Sequence, residues 1–226
     1  SNNHEDGFTL SNVSSTTLLN NTAAGNWDNG FDVTNVSRTN LTNNTATDNL
    51  GSGFGLFNSS STNLTGNTAT NNSRLGFELN NVSSVNVTGN TATNNSLCGF
   101  GLFNATNSNL SNNIASDNDG SGICVRDSTN NTVNRNEANS NELNGISVFN
   151  SSSNTFSGNN ASYNGNNGIL VNGSSNYNNL TSNTANGNTG SGYLIADSVG
   201  TNLTNNTASN NHEDGFTLSN VSSTTL

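Results

Sequence analysis

The chain has 226 residues, of which 28% are hydrophobic and 8% are charged. Fourteen Asp and Glu stand against four Arg and no Lys, and the net charge of −10 excludes nucleic-acid partners and anionic membrane surfaces, which require a basic surface. The chain contains no run of about 18 apolar residues, the length that a membrane-spanning helix needs. With 56 Asn, the composition is typical of disordered chains unless the apolar residues recur at a fixed interval.

The first predicted element of each repeat is a short strand that begins with a Gly and a large apolar residue. These pairs recur every 23 residues, with one step of 24 between Gly168 and Gly192. An aliphatic residue follows two positions later, and this period of two predicts a strand with one buried face. The pairs are Gly7-Phe8, Gly30-Phe31, Gly53-Phe54, Gly76-Phe77, Gly99-Phe100, Gly122-Ile123, Gly145-Ile146, Gly168-Ile169, Gly192-Tyr193 and Gly215-Phe216.

Two further short strands are predicted in each repeat. A large apolar residue, such as Leu41, Leu64 or Val87, lies eleven positions after the Gly, and an Ala lies five positions beyond it. Asn, Gly and Ser, which favour turns, separate these segments. Three strands in 23 residues predict one coil of a parallel β-helix. We therefore expect an all-β solenoid of about nine to ten coils, forming a single domain over residues 1–226 with the large apolar side chains inside.

Asparagine occupies fixed places in the repeat. Two columns contain Asn in all nine repeats, and we interpret them as stacked amide ladders that donate and accept hydrogen bonds along the solenoid. A third column, which starts at Asn12 and includes Asp127 and Asp197, is typical of turns with a left-handed backbone. The first ladder is Asn21, Asn44, Asn67, Asn90, Asn113, Asn136, Asn159, Asn183 and Asn206; the second is Asn26, Asn49, Asn72, Asn95, Asn118, Asn141, Asn164, Asn188 and Asn211.

The pattern NLTNNTATDN-x-x-x-GF-x-L-x-NSS, which begins at Asn40, resembles the repeats of right-handed parallel β-helix proteins. NosD-like and pectate-lyase-like proteins carry such repeats, as do archaeal and bacterial surface proteins. The resemblance covers the whole chain and implies a right-handed solenoid. NosD relatives are associated with copper delivery, but no Met, two His and two Cys offer few copper ligands. The pectate-lyase relatives imply a polysaccharide lyase or hydrolase.

The two cysteines fall in neighbouring repeats but at different positions. Cys98 precedes Gly99, whereas Cys124 lies two residues after Gly122. An offset of three residues along a strand places their Cα atoms roughly 10 Å apart, beyond disulfide reach. We expect two free thiols, and a disulfide formed in an oxidising compartment is the alternative.

One segment of two consecutive repeats carries a high density of charged side chains. We interpret it as a solvated face, because its carboxylates fall in short turns and no long loop builds a cleft. Asp117 and Asp119 are a weak calcium candidate, and the sequence indicates no other metal or cofactor. The charged residues of this segment are Asp117, Asp119, Arg126, Asp127, Arg135, Glu137 and Glu142.

The Asn-x-Ser/Thr acceptor pattern of N-glycosylation is only slightly more frequent than the composition predicts, so the pattern alone does not indicate glycans. In a secreted protein the best acceptors are those beside inward Leu or Val residues, because they point outward. These glycosylation candidates are Asn40, Asn63, Asn86, Asn109 and Asn202.

The chain repeats its own first residues. SNNHEDGFTLSNVSSTTL occupies residues 1–18 and again residues 209–226, a separation of 208 residues or nine repeats. Neighbouring repeats match only at their pattern positions, so we interpret residues 1–208 as one unit and residues 209–226 as the start of an identical one. A tandem array of such units would form a rod.

The uniform repeats favour a non-catalytic structural protein of an extracellular fibre, stalk or surface layer. We therefore expect no enzyme activity, an extracellular or cell-surface location, and end-to-end copies of the chain as partners, with surface glycans as a further candidate. A cell-surface adhesin or carbohydrate-binding β-helix is the alternative, and a polysaccharide lyase or hydrolase is the third. Outward Thr rows resemble ice-binding surfaces, but Ser111, Asn134 and Ser157 interrupt them.

Overall fold

The computed structural model describes residues 2–226, which form a parallel β-solenoid of about nine coils without any helix. Each coil passes in turn through a first, a second and a third sheet, which contain ten, nine and five strands. The predicted fold class is therefore confirmed. Within residues 2–226 there is no helix that could cross a membrane.

The strands are short, and within each sheet every strand begins at the same position of the repeat. The first sheet consists of Phe8–Ser11, Phe31–Thr34, Phe54–Phe57, Phe77–Asn80, Phe100–Phe103, Ile123–Arg126, Ile146–Phe149, Ile169–Asn172, Tyr193–Val199 and Phe216–Ser222. The second consists of Thr17–Leu19, Asn40–Thr42, Asn63–Thr65, Asn86–Thr88, Asn109–Ser111, Thr132–Asn134, Thr155–Ser157, Asn179–Thr181 and Asn202–Thr204. The third consists of Thr22–Ala24, Thr45–Thr47, Thr68–Thr70, Thr91–Thr93 and Ile114–Ser116.

The third sheet is regular only in the first five coils. Beyond Ser116, single bridges at Glu137, Asn160, Thr184 and Thr207 continue its line. Two Thr flank the inward Ala in Thr45–Thr47, Thr68–Thr70 and Thr91–Thr93, whereas Asn or Glu flanks it at Ala138, Ala161 and Ala185. Asn and Glu favour strands less than Thr does, so the ladder weakens there.

Large apolar side chains stack along the inside of the solenoid. Phe31, Phe54 and Phe77 lie ring over ring with centroids 4.7–4.8 Å apart, which is the spacing of adjacent strands. Leu41 and Leu64 of the second sheet are 1% exposed, as the sequence predicted. Because each coil buries its apolar face against the coils on either side, the core is one continuous column.

The two predicted asparagine ladders are confirmed. In the first, the Asn90 side-chain amide donates to Asn113 Oδ1 at 3.1 Å and to the Leu64 carbonyl at 2.9 Å. Asn90 Oδ1 in turn accepts from the backbone and side-chain amides of Asn67 at 2.8 and 2.9 Å. Every polar atom of the buried amide is thus used, which removes the cost of burying it.

Left-handed residues turn the chain at the corners of each coil. The third asparagine column is itself left-handed, with φ of 55° at Asn12 and 54° at Asn35. The two buried ladders instead follow a left-handed residue, as Asn44 follows Asn43 with φ of 53°. Asn adopts this backbone region more readily than most residues, which explains its frequency at the corners.

The prediction of two free thiols was wrong. Cys98 and Cys124 form a disulfide, with Cα atoms 6.2 Å apart. The distance estimate assumed a straight strand, but Cys98 lies in the turn before its strand, where the side chain can reach the outward strand position of the next coil. Ser52 and Glu78 have the same separation of 26 residues, and the Ser52 hydroxyl donates to Glu78 Oε2 at 3.0 Å.

Candidate functional site

The outer face of the first sheet carries a row of phenylalanines that runs along the solenoid. Phe57, Phe103 and Phe149 occupy the same strand position in every second coil, and the strand register places Asn80 and Arg126 between them. Phe57 and Phe103 are half-buried, and Phe149 is 43% exposed. We call these three residues the phenylalanine row.

Two glycines make room for the rings. A Cβ atom on Gly55 would lie 2.5 Å from Phe57 Cε2, and one on Gly101 would lie 2.6 Å from Phe103 Cε2. The Cε2–Cζ edge of each ring therefore lies over the glycine of its own strand. The ring of Phe149 leans the other way and covers Gly173 in the following coil.

A depression of about 260 Å³ separates Phe103 from Phe149. The disulfide between Cys98 and Cys124 forms part of its lining, and the Arg126 guanidinium carbon lies 5.4 Å from the centre of the Phe149 ring. This cation–π contact holds the guanidinium beside the aromatic surface. The depression is also lined by Leu75, Leu97, Val125 and Ser147, so its surface is largely apolar.

Two carboxylates lie on the same outer face. Asp32 and Glu78 are both in register with Gly55, one coil on either side of it. Asp32 Oδ1 accepts from the Thr34 hydroxyl at 2.8 Å, and the buried Glu78 accepts from Ser52. Their Cα atoms are therefore about 9.5 Å apart, which is two strand spacings.

A third carboxylate, Asp6, lies in the turn before the first strand. Its burial raises its pKa, and the charges of Asp32 and Asp28 raise the pKa further. The backbone amide of Asn29 donates to Asp6 Oδ1 at 3.0 Å and opposes that shift. This end of the outer face is therefore electronegative.

The charged residues singled out in the sequence are spread around the coils and do not lie together. Arg126 is on the outer face of the first sheet, whereas Glu137 bridges in the line of the third. Asp117 and Asp119 are exposed on either side of the buried Asn118. No group of three or more His, Cys, Asp or Glu within residues 2–226 is placed to hold a metal ion. The remaining members, Asp127, Arg135 and Glu142, are exposed at other places around the coil.

The glycosylation candidates lie on the outward side of the second sheet. Asn63 donates to Asn40 Oδ1 at 2.9 Å, and Asn109 donates to Asn86 Oδ1 at 2.7 Å. Asn202 donates to a neighbouring Asn in the same way. Asn63, Asn109 and Asn202 thus donate through their side-chain nitrogens, whereas Asn40 and Asn86 accept through their side-chain oxygens. Glycosylation of these residues stays a prediction.

Neither the phenylalanine row nor Glu78 is among the residues predicted from the sequence. The predicted burial rests on the inward positions of the first strand, where apolar residues are expected, and makes no use of the outward positions. A signal was present, because Phe57, Phe103 and Phe149 are spaced by two repeats of 23 residues. Large apolar side chains at outward positions are a feature of binding surfaces.

A family model and solved structures resemble this chain. The model described as the right-handed β-helix region matches residues 1–113 and 75–226. No curated protein matches the sequence.

Three solved structures share the solenoid. The A-module of an Azotobacter vinelandii mannuronan C-5 epimerase has a TM-score of 0.69 and 18% identity, covering 79% of this chain and 55% of its own. The ORF18 protein of Geobacillus virus E2 has a TM-score of 0.70 and 13% identity, covering 96% and 52%. The catalytic domain of a GH87 α-1,3-glucanase, in complex with tetrasaccharides, has a TM-score of 0.53 and 13% identity, covering 96% and 56%. The chain thus spans about half the length of each structure.

These structures overturn the prediction that the chain is not an enzyme, which was wrong. Uniform coils do not indicate a non-catalytic protein, because an epimerase and a glucanase share the same solenoid. The β-helix fold therefore gives no ground for excluding catalysis. At 13–18% identity the likeness shows the fold alone.

Proposed function

This chain belongs to the right-handed β-helix family, and from that premise we propose that it binds an extended polysaccharide along the outer face of its first sheet. The phenylalanine row carries the proposal. Its members follow the solenoid axis for four strand spacings, about 19 Å. A linear chain of sugars laid along the axis would therefore meet more than one ring.

Aromatic rings suit the faces of sugars. The C–H groups on one face of a pyranose ring pack against the negative face of an aromatic ring. Phe57 and Phe103 are half-buried at outward strand positions, where the missing side chain of a glycine makes room for each ring. The depression beside Phe103 adds apolar wall, and Arg126 places a hydrogen-bond donor at its edge.

Affinity electrophoresis in gels that contain soluble polysaccharides tests this proposal. We expect a neutral polysaccharide to retard the protein, and Phe103→Ala to reduce the retardation. Tyr163→Ala is the matched control, because Tyr163 is also an exposed aromatic that covers a glycine, Gly187, but it lies off the first sheet. The proposal would be overturned if the two variants were retarded equally. It would also be overturned if no polysaccharide retarded the unmodified protein.

Hydrolysis of the bound polysaccharide is a second candidate function, and the placement of Asp32 and Glu78 favours it. Their Cα separation is compatible with the ~6.5–9.5 Å between carboxyl groups that inverting glycosidases use. One carboxyl group would protonate the leaving oxygen of the glycosidic bond. The other would take a proton from the water that attacks the anomeric carbon, so that each cleavage yields one new reducing end.

Release of reducing ends from neutral polysaccharides measures this activity. We expect Asp32→Asn and Glu78→Gln each to lower the rate by at least roughly a hundredfold while binding is retained. Asp119→Asn, in an exposed turn, serves as the control with an unchanged rate. If the unmodified protein binds but releases no reducing ends, the second candidate fails and the first stands.

An extracellular location is also part of the proposal. The disulfide between Cys98 and Cys124 supports it, since such bonds persist in oxidising compartments. We expect the native protein to carry no free thiol before reduction and two thiols afterwards, as measured by thiol labelling. A native protein with both thiols free would count against this location.

A further inference from the structure

We propose that the outer face of the first sheet selects a neutral glycan with a disaccharide repeat. The inference rests on the proposed polysaccharide binding and adds to it the class of polymer. It follows from two separate properties of the face, which are the period of the phenylalanine row and the distribution of charge.

The period is set by the solenoid. Consecutive coils lie 4.7–4.8 Å apart, as the stacked Phe rings inside the first sheet record. Phe57 and Phe103 are two coils apart in the same column, so about 9.5 Å separates equivalent points on their strands. Both rings cover a glycine of their own strand, and their orientation is therefore equivalent.

An extended β-1,4-linked glycan has a matching repeat. Successive sugars are turned over relative to one another, so the same face returns at every second sugar, and the disaccharide length is close to two coil spacings. A chain parallel to the axis would then place every second sugar on a ring. The sugars between them would lie over Asn80 and Arg126, which can hydrogen-bond to hydroxyl groups.

The charge of the face disfavours polyuronates. Asp6, Asp28 and Asp32 lie at one end of it, and Glu78 is buried between Phe57 and Phe103. Arg126 is the one basic residue on the outward strand positions of the first sheet within residues 2–226, and Arg74 lies in the turn before Gly76 at the repeat position of Asp28. A polymer with a carboxylate on every sugar would be repelled by Asp28 and Asp32 at one end of the face and by Glu78, whereas a neutral polymer would not.

Binding of defined oligosaccharides tests the charge argument. We expect isothermal titration calorimetry to detect hexamers of a neutral β-1,4-linked sugar and to give at least roughly tenfold weaker binding of polymannuronate or polygalacturonate hexamers. Equal or tighter binding of the uronate hexamers overturns the neutral selection but leaves polysaccharide binding intact. Absence of binding to every oligosaccharide overturns both.

An interchange within the column tests the period. Phe103→Arg combined with Arg126→Phe keeps the composition and net charge but destroys the two-coil spacing of the rings. We expect this double variant to bind the neutral hexamer roughly tenfold more weakly than the unmodified protein does, with Tyr163→Ala unchanged. Unchanged affinity in a double variant that keeps its β-sheet circular dichroism and melting temperature overturns the disaccharide period.

Discussion

At the scale of single residues, Tyr193 differs from the residues at the same repeat position in the other coils. It occupies the inward position that Phe or Ile fills in other coils, and its ring stacks on Phe216 with centroids 4.7 Å apart. The hydroxyl has no hydrogen-bond partner among residues 2–226, and burial raises the pKa of this group. An unpaired buried hydroxyl destabilises the fold by about 1–3 kcal/mol.

We therefore expect Tyr193→Phe to stabilise the protein by about 1 kcal/mol or more. Urea unfolding followed by circular dichroism would measure the difference in midpoint. Val171→Ala, at a buried aliphatic position of the preceding coil, is a destabilising reference in the same experiment. A lower midpoint for Tyr193→Phe would show that the hydroxyl is paired in solution.

Asp6 gives the first coil a dependence on pH. Because the folded state raises the pKa of this carboxyl above its ordinary value of 3.8, the folded state binds the proton more tightly than the unfolded state does. The carboxylate therefore destabilises the fold above its raised pKa, and this penalty disappears as the pH falls through that pKa to below 3.8.

We expect Asp6→Asn to remove this dependence. Asn keeps an oxygen that can accept from the Asn29 amide, as Asn144 does for Asn167 at 3.1 Å two residues before a first-sheet strand. At neutral pH, amide hydrogen exchange in Phe8–Ser11 should be slower in the variant than in the unmodified protein. The two proteins should converge below pH 3.8, and a constant difference across the range would contradict the assignment to Asp6.

At the scale of elements, the buried ladders hold the coils in register. Asn113 donates to Asn136 and to the Val87 carbonyl, and it accepts from both amides of Asn90. We expect Asn113→Ala to cost at least about 3 kcal/mol, because several buried groups lose their partner together. Asn109→Ala should cost less than about 1 kcal/mol, because Asn109 faces outward. Equal losses in urea unfolding would show that ladder burial is not what stabilises the stack.

The repeat made most of these elements predictable, since a position that recurs nine times shows its burial through its residue type. Leu41 and Asn90 lie where the sequence placed them. The disulfide was not predictable in the same way, because the bend before Gly99 changes the distance between Cys98 and Cys124 and leaves no mark in the spacing. The phenylalanine row has a period of two repeats that is visible in the sequence. The residue types at the outward positions vary, however, and only the structure shows that each ring contacts a glycine.

At the scale of the whole molecule, the second copy of the 18-residue segment, at residues 209–226, continues the stack of coils. Phe216 pairs with Tyr193 and Leu218 pairs with Ile195 in the first sheet, just as Phe8 and Leu10 pair with the second coil. The contacts that would join two 208-residue units are therefore those that join any two coils. We propose that tandem units form one uninterrupted solenoid, in which nine coils add about 43 Å to its length.

A chain of two 208-residue units joined after residue 208 tests this proposal. We expect small-angle scattering to show a single rigid rod of about twice the length of one unit, since the junction is one more strand spacing. The phenylalanine row would then occur twice along one axis, and a long neutral polysaccharide should bind at least roughly tenfold more tightly to the double unit because both rows engage one chain. Hexamers should bind each row with unchanged affinity, because they cannot reach both. A flexible pair of rods, with no gain in affinity for the long polymer, would mean that the units fold separately.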